Sequence, residues 1–170
     1  LGDLLIKSTA KFGPNPAIVF PDQTISYEDL KQRAYQRARA LVAHDIGPGS
    51  HIGILMANCL EYIEYLFAAQ LVGAMAVPIN ARYKAPELAF VLDNADIELL
   101  ITHDAISEYA NFGQLIDDAL VERTPEKLVH LIMLGEQRKG FISDEAFLNK
   151  GKTVDTKIVD EMRSQVSLRN

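Results

Sequence analysis

The chain has 170 residues, of which 48% are hydrophobic and 24% charged, and its net charge is −6. That length fits one domain with a real core, and the hydrophobic share excludes a disordered chain. The acidic excess is uneven, since residues 1–82 carry seven basic and seven acidic side chains whereas residues 83–170 carry ten and sixteen. A surface that neutralises nucleic-acid phosphates needs Lys and Arg gathered on one face, so nucleic acid is not an expected partner.

Residues 3–12 read as a short amphipathic helix through Leu4, Leu5 and Phe12, stopped by Gly13-Pro14-Asn15-Pro16. Ala17 to Phe20 and Thr24 to Ser26 flank the turn-forming Pro21-Asp22-Gln23 and read as a small hairpin. A helix follows from Ser26. Ser26 and Asp29 have capping-box spacing, Ile25 and Leu30 have staple spacing, and Leu30, Ala34, Ala38 and Leu41 line one apolar face. The opposite face, with Lys31, Arg33, Arg37 and Arg39, reads as solvated.

Gly47-Pro48-Gly49 turns the chain into an aliphatic run at 51–56, the pattern of a parallel strand buried on both faces. Asn58 and Glu61 are spaced to cap the next helix, which Gly73 closes before a strand at 75–79. Pro86 opens a helix running to about Asn94, and 97–102 is the third core strand. Phe112, Leu115, Ile116, Ala119 and Leu120 repeat at helical spacing, with Gly113 expected to weaken or break that helix. A fourth strand at 128–134, a short helix at 143–149 and an amphipathic stripe of Val154, Ile158, Met162 and Val166 complete the chain.

Apolar strands alternating with helices define an α/β fold, a mostly parallel sheet with helices on both faces and right-handed crossovers, plus the small N-terminal hairpin. Ligands in such sheets bind beyond the C-terminal strand ends, here Met56 to Asn58, Ile79 to Arg82 and Thr102 to Asp104. The single cysteine, Cys59, cannot close an internal disulfide, and no signal-peptide pattern opens the chain, so a cytoplasmic location is expected. Glu61 and Glu64 interrupt the longest apolar run, which falls short of the roughly 20 residues that span a bilayer.

Taken together, Thr24-Ile-Ser-Tyr27-Glu-Asp-Leu30, Gly47-Pro-Gly49, Ile52-Gly-Ile-Leu55 followed by Asn58, Gly73-Ala74, Val77-Pro78-Ile79-Asn80-Ala81-Arg82 and Glu87-Leu88 resemble the N-terminal region of the acyl-adenylating, AMP-forming enzymes. The ordered match covers roughly residues 4–103 and is nearest to the acyl-CoA synthetases. Ser50 departs from the acidic residue usual after the glycine and reads as surface variation. The resemblance implies an aromatic or a fatty acid, with a fatty acid the first expectation, attacking ATP to give acyl-AMP and then passing to CoA. ATP, Mg²⁺ and CoA are thus implied for the parent ligase.

Relatives supply that chemistry with a Ser/Thr/Gly-rich phosphate loop, a Tyr-Gly-x-Thr-Glu segment, a ribose-binding Asp and a C-terminal lysine. None of these stands in the 170 residues, and the resemblance places the phosphate loop just after a segment like 165–170. The chain is therefore expected to be an N-terminal subdomain of a longer ligase, inactive alone, with the rest of that ligase as its partner and a tendency to self-associate. No catalytic, cofactor or metal residue is carried over.

Gly47-Pro48-Gly49-Ser50 precedes a strand rather than following one, so it reads as a turn and not a phosphate cradle. His44, His51, His103 and His130 are scattered singly and show no zinc spacing. Asn58 and Cys59 read as a cap and a buried thiol, and no Gly-x-Ser-x-Gly elbow is present. Asn80, Arg82 and His103, at strand ends, remain as candidates for touching a ligand or the missing subdomain. A flavodoxin- or Rossmann-type nucleotide module and a non-catalytic interaction domain on the same scaffold stay open as alternatives.

Overall fold

The computed structural model describes residues 2–104, 111–135 and 137–166. In chain order the elements are α1 (Gly2–Phe12), β1 (Pro16–Val19), β2 (Thr24–Ser26), α2 (Tyr27–Ala43), β3 (His51–Leu55), α3 (Leu60–Val72) and β4 (Met75–Pro78). They continue with α4 (Ala85–Asn94), β5 (Leu99–His103), α5 (Phe112–Glu122), β6 (His130–Leu134), β7 (Ile142–Ser143), α6 (Asp144–Gly151) and α7 (Thr156–Gln165). The chain divides into two units: one takes residues up to Pro48, Leu60–Ala74 and from Leu148 onward, the other Gly49–Cys59 and Met75–Phe147.

The first unit is helical, with the antiparallel β1/β2 hairpin between α1 and α2. Ser26 caps α2, its Oγ accepting from the Asp29 N–H at 3.1 Å while donating to the Asp29 carboxylate at 2.7 Å. Ile25 and Leu30 are both buried, as a staple requires. The facing sides of α2 and α3 are rich in alanine: Ala34, Ala38, Ala68 and Ala69 are fully buried, which lets the two helices approach closely.

Against the sequence expectation, the cationic side of α2 is not a solvated face. Arg37 is buried, its Nε donating to Glu64 Oε2 at 2.5 Å, and Arg33 Nη1 reaches Glu64 Oε1 at 3.3 Å. The Arg37 guanidinium also lies 4.4 Å from the Tyr65 ring centroid. Arg39, half-buried, donates to the carbonyls of Val154 and Lys152 at 2.7 and 2.9 Å. Helical periodicity separated polar from apolar positions correctly, but α3 and the chain before α7 supply acceptors on the polar side.

The last helix is fixed by polar contacts more than by its predicted stripe. Only Val159 is buried on α7, while Ile158 and Val166 are exposed. Tyr35 Oη donates to Asp160 at 2.6 Å, and Arg163 pairs with Asp160 and Asp3.

The second unit is built on a five-stranded parallel sheet in the order β4-β3-β5-β6-β7. β7 adds a strand where a helix from Ser143 is expected, because Ile142 and Ser143 extend the ladder beside Ile132 and Met133 before α6 starts. Leu88 and Leu92 of α4, Phe112, Ile116 and Ala119 of α5, and Leu55, Ile97 and Leu100 form one buried apolar cluster. Gly113 does not break α5. It is the helix's second residue, and a Cβ there would lie 2.8 Å from Arg138 Cδ, so the position is kept small by the side chain lying across it.

Ser50 is likewise not surface variation. It is buried and its Oγ donates to Glu98 at 3.0 Å.

Three helix ends share one geometry. At Asp45, Gly73 and Asp96 the backbone turns to positive φ, and the next residue's N–H bonds back five residues, Ile46 to Leu41, Ala74 to Ala69 and Ile97 to Leu92. This cap satisfies carbonyls that a helix end leaves without partners. Only Gly73 announces it in sequence. α3 itself begins at Leu60, one residue later than a cap at Asn58 implies.

Two outcomes follow from the first unit. Glu64→Gln removes the buried carboxylate charge that Arg37 and Arg33 both reach and is expected to cost about 3 kcal/mol in urea unfolding, against less than about 1 kcal/mol for Arg33→Ala at the exposed partner. Burial, then the bond to Asp160, pushes the Tyr35 phenol from 10.0 up to about 12. Because the folded value lies above the unfolded one, this stabilisation is complete below pH 10 and is lost as pH rises towards 12. Tyr35→Phe should flatten the fall in the urea midpoint across that window.

Candidate functional site

In a parallel sheet all strands run one way, so the second unit gathers its strand ends along one edge. The chain passes from β3 to β4 on one side and then to β5 on the other side of β3, so its winding reverses at β3. The ends of β3 and β5 are therefore the place where this architecture opens a crevice. Thr102 joins them below the edge, its buried hydroxyl donating to the Leu55 carbonyl at 2.7 Å.

Beyond β3 stand exposed Asn58 and half-buried Cys59, whose Sγ lies 3.6 Å from Met56 Sδ. His103 ends β5 and Asp104 follows it, both half-buried. Asp104 packs against Gly135 at the end of β6: Gly135 has φ +96°, and a Cβ there would fall inside van der Waals contact of the Asp104 carboxylate. The sequence placed His103 and Asp104 at a strand end. The glycine facing them was missed, although a Gly directly after the β6 run was the signal.

Asn80 and Arg82 lie beyond β4 and are exposed. The Asn80 side chain accepts from the Arg82 N–H at 3.0 Å and its carbonyl accepts from the Tyr83 N–H at 3.1 Å, so Asn80 shapes the turn into α4. Among the described residues the Arg82 guanidinium forms no hydrogen bond or ion pair. The sheet thus brings Asn80, Arg82 and His103 to one edge, and no bond joins them to one another.

Two other histidines have structural partners: His44 Nδ1 lies 2.9 Å from the Ala40 carbonyl and His51 Nδ1 2.6 Å from the Ala95 carbonyl. Among the described residues no group of three His, Cys, Asp or Glu is placed to hold a metal ion, and no helix is long and apolar enough to cross a membrane. Among the described residues the strand-end edge therefore offers no three-ligand cluster for a divalent cation.

Comparison with known proteins gives a consistent picture. Residues 5–164 match the family model described as AMP-binding enzyme. An acyl-CoA ligase, sidI, of Aspergillus fumigatus is 30% identical over 171 residues, covering 98% of this chain and 29% of the relative. A putative acyl-CoA synthetase, YngI, of Bacillus subtilis is 30% identical over 132 residues, covering 75% of this chain and 24% of the relative. The chain thus spans about a quarter to a third of the length of these relatives. Among solved structures, an anthranilate CoA ligase, AuaEII, in complex with anthranoyl-AMP shares the fold at a TM-score of 0.77 and 24% identity, over 91% of this chain and 28% of that one. A putative long-chain-fatty-acid CoA ligase from Rhodopseudomonas palustris does so at 0.75 and 23%, over 86% and 35%.

The Asp104 contact sets the outcome of a substitution. Gly135→Ala combines a positive φ with a clash and should lower stability by about 2 kcal/mol in urea titration. Adding Asp104→Ala should recover the steric part and leave the backbone part.

Proposed function

Because the chain belongs to the AMP-binding enzyme family, we propose that it is the N-terminal subdomain of an ATP-dependent, AMP-forming acid–CoA ligase, with a fatty acid as the substrate class. The observation that carries this reading is the alignment of nearly the whole chain with an acyl-CoA ligase. In the proposed parent, a carboxylate oxygen attacks the α-phosphorus of ATP, pyrophosphate leaves, and a CoA thiol then displaces AMP from the acyl carbon. A parent with this chemistry works in the cytoplasm, with the acid, ATP, Mg²⁺ and CoA as its small-molecule partners.

The role proposed for this chain is to support that site rather than to carry it. Bringing a carboxylate to a triphosphate places anion against anion, and the step needs cations and N–H donors aimed at the charge that develops. Within the 170 residues the strand edge offers Arg82 as an exposed cation, with Asn80 beside it beyond β4 and His103 at the end of β5. These three are proposed to meet a ligand or the remainder of the ligase. Apolar side chains left exposed, Met75 and Phe90 among them, are proposed to make the isolated chain self-associate.

The chain alone is expected to be inactive. Incubated with palmitate or benzoate, ATP, Mg²⁺ and CoA, it should release no pyrophosphate above the uncatalysed background, while a longer chain that continues through a phosphate loop should release it with fatty acids. Acyl-AMP formed by the 170-residue chain would overturn its supporting role. A longer chain that adenylates no carboxylic acid would overturn the ligase reading. Light scattering on the same preparation should find a mass above that of one chain.

A further inference from the structure

Within the first unit a cleft of about 530 Å³ lies along α2 between α1 and α7, a size in the range of small-molecule sites. Its walls combine an apolar part, Ile6 and the Tyr35 ring, with a row of polar side chains from α2. Two of these are cations without a carboxylate partner among the described residues. The Lys31 ammonium makes only a ring contact, 5.9 Å from the Tyr35 centroid, and Arg39 spends its Nε and Nη2 on the carbonyls of Val154 and Lys152, which leaves its charge uncompensated. Between them Gln32 and Gln36 line the same wall, and their amides form no hydrogen bond with described residues. Both cations are half-buried, so their charges are screened less than on an open surface.

The acidic groups of the cleft are placed differently. Asp160 is engaged by the Tyr35 hydroxyl and by Arg163. Among the described residues Glu28 has no cation within ion-pair distance, and it sits near Gly13, one helical turn before Lys31. The unmatched charges along the wall are thus two cations and, towards one end, one carboxylate.

We propose that this cleft binds a small organic anion whose phosphate or carboxylate groups bridge Lys31 and Arg39 across the amides of Gln32 and Gln36. The two cations stand eight residues apart, about 12 Å along the helix, so the ligand carries at least two anionic groups. Tyr35 and Ile6 offer its carbon frame an apolar wall, and Glu28 closes one end against further negative charge. This site lies within the helical unit and is independent of the adenylation reading.

The test uses the 170-residue chain with isotope-labelled Lys, Gln and Arg side chains, titrated separately with inorganic tripolyphosphate and with citrate at constant ionic strength set by sodium chloride. The expected result is saturable shifts at Lys31, Gln32 and Gln36 below about 10 mM of one or both anions, the two arms telling a phosphate from a carboxylate ligand. Lys31→Met should weaken binding about fivefold or more, and Glu28→Gln, which removes the opposing charge, should tighten it. Shifts that never saturate, that persist unchanged in Lys31→Met, or that weaken in Glu28→Gln would overturn the proposal. Amide signals of the second unit serve as the check that each variant keeps its fold.

Discussion

The helical unit depends on one buried carboxylate. Glu64 is 1% exposed, and a charge so removed from water persists only if cations and hydrogen bonds replace its hydration. Arg37 and Arg33 do so from the neighbouring helix, and the Tyr65 ring takes the Arg37 guanidinium. Alanines at the α2/α3 interface make this reach possible, because bulkier side chains would hold the helices further apart. The polar triangle therefore fixes the rotation of α2 about its axis. With that rotation set, Tyr35 faces α7 and Arg39 faces the chain that leads into it.

This same constraint explains where sequence reading worked. The hairpin, the Ser26 cap with its staple, and the core strands at 51–55, 75–78, 99–103 and 130–134 are local patterns, and each was legible because its signal lies within a few residues. The cationic row was not. Whether an arginine on a helix meets water or a buried glutamate depends on a residue 27 positions away, and no spacing rule reports it. Gly113 misled for a similar reason, since its intrinsic penalty is real but Arg138 needs the space.

Two helix ends illustrate a subtler limit. Asp45 and Asp96 adopt the left-handed conformation that glycine adopts at Gly73, and all three carry the same back-bonding. A short polar side chain tolerates this conformation at modest cost, so aspartate conceals a cap that glycine declares. The two-residue strand β7 was hidden differently: Ile142 and Ser143 become a strand only because β6 offers them an open edge, a property of the sheet and not of the segment.

At the strand-end edge the candidate residues were legible as positions, since the parallel order alone puts Asn80, Arg82 and His103 on one side. Their commitments were not legible. Asn80 is bound into its own turn, Thr102 ties β5 to β3, and Asp104 lies against Gly135. An edge whose polar groups are largely occupied in holding the strands and turns has few left to stabilise charge in a reaction. Arg82 is the exception, an exposed cation whose charge meets no acceptor among the described residues. Among the described residues the strand-end edge is thus a braced one, its side chains tied into turns and strand pairs, with the Arg82 charge the one left to meet a group from outside the edge.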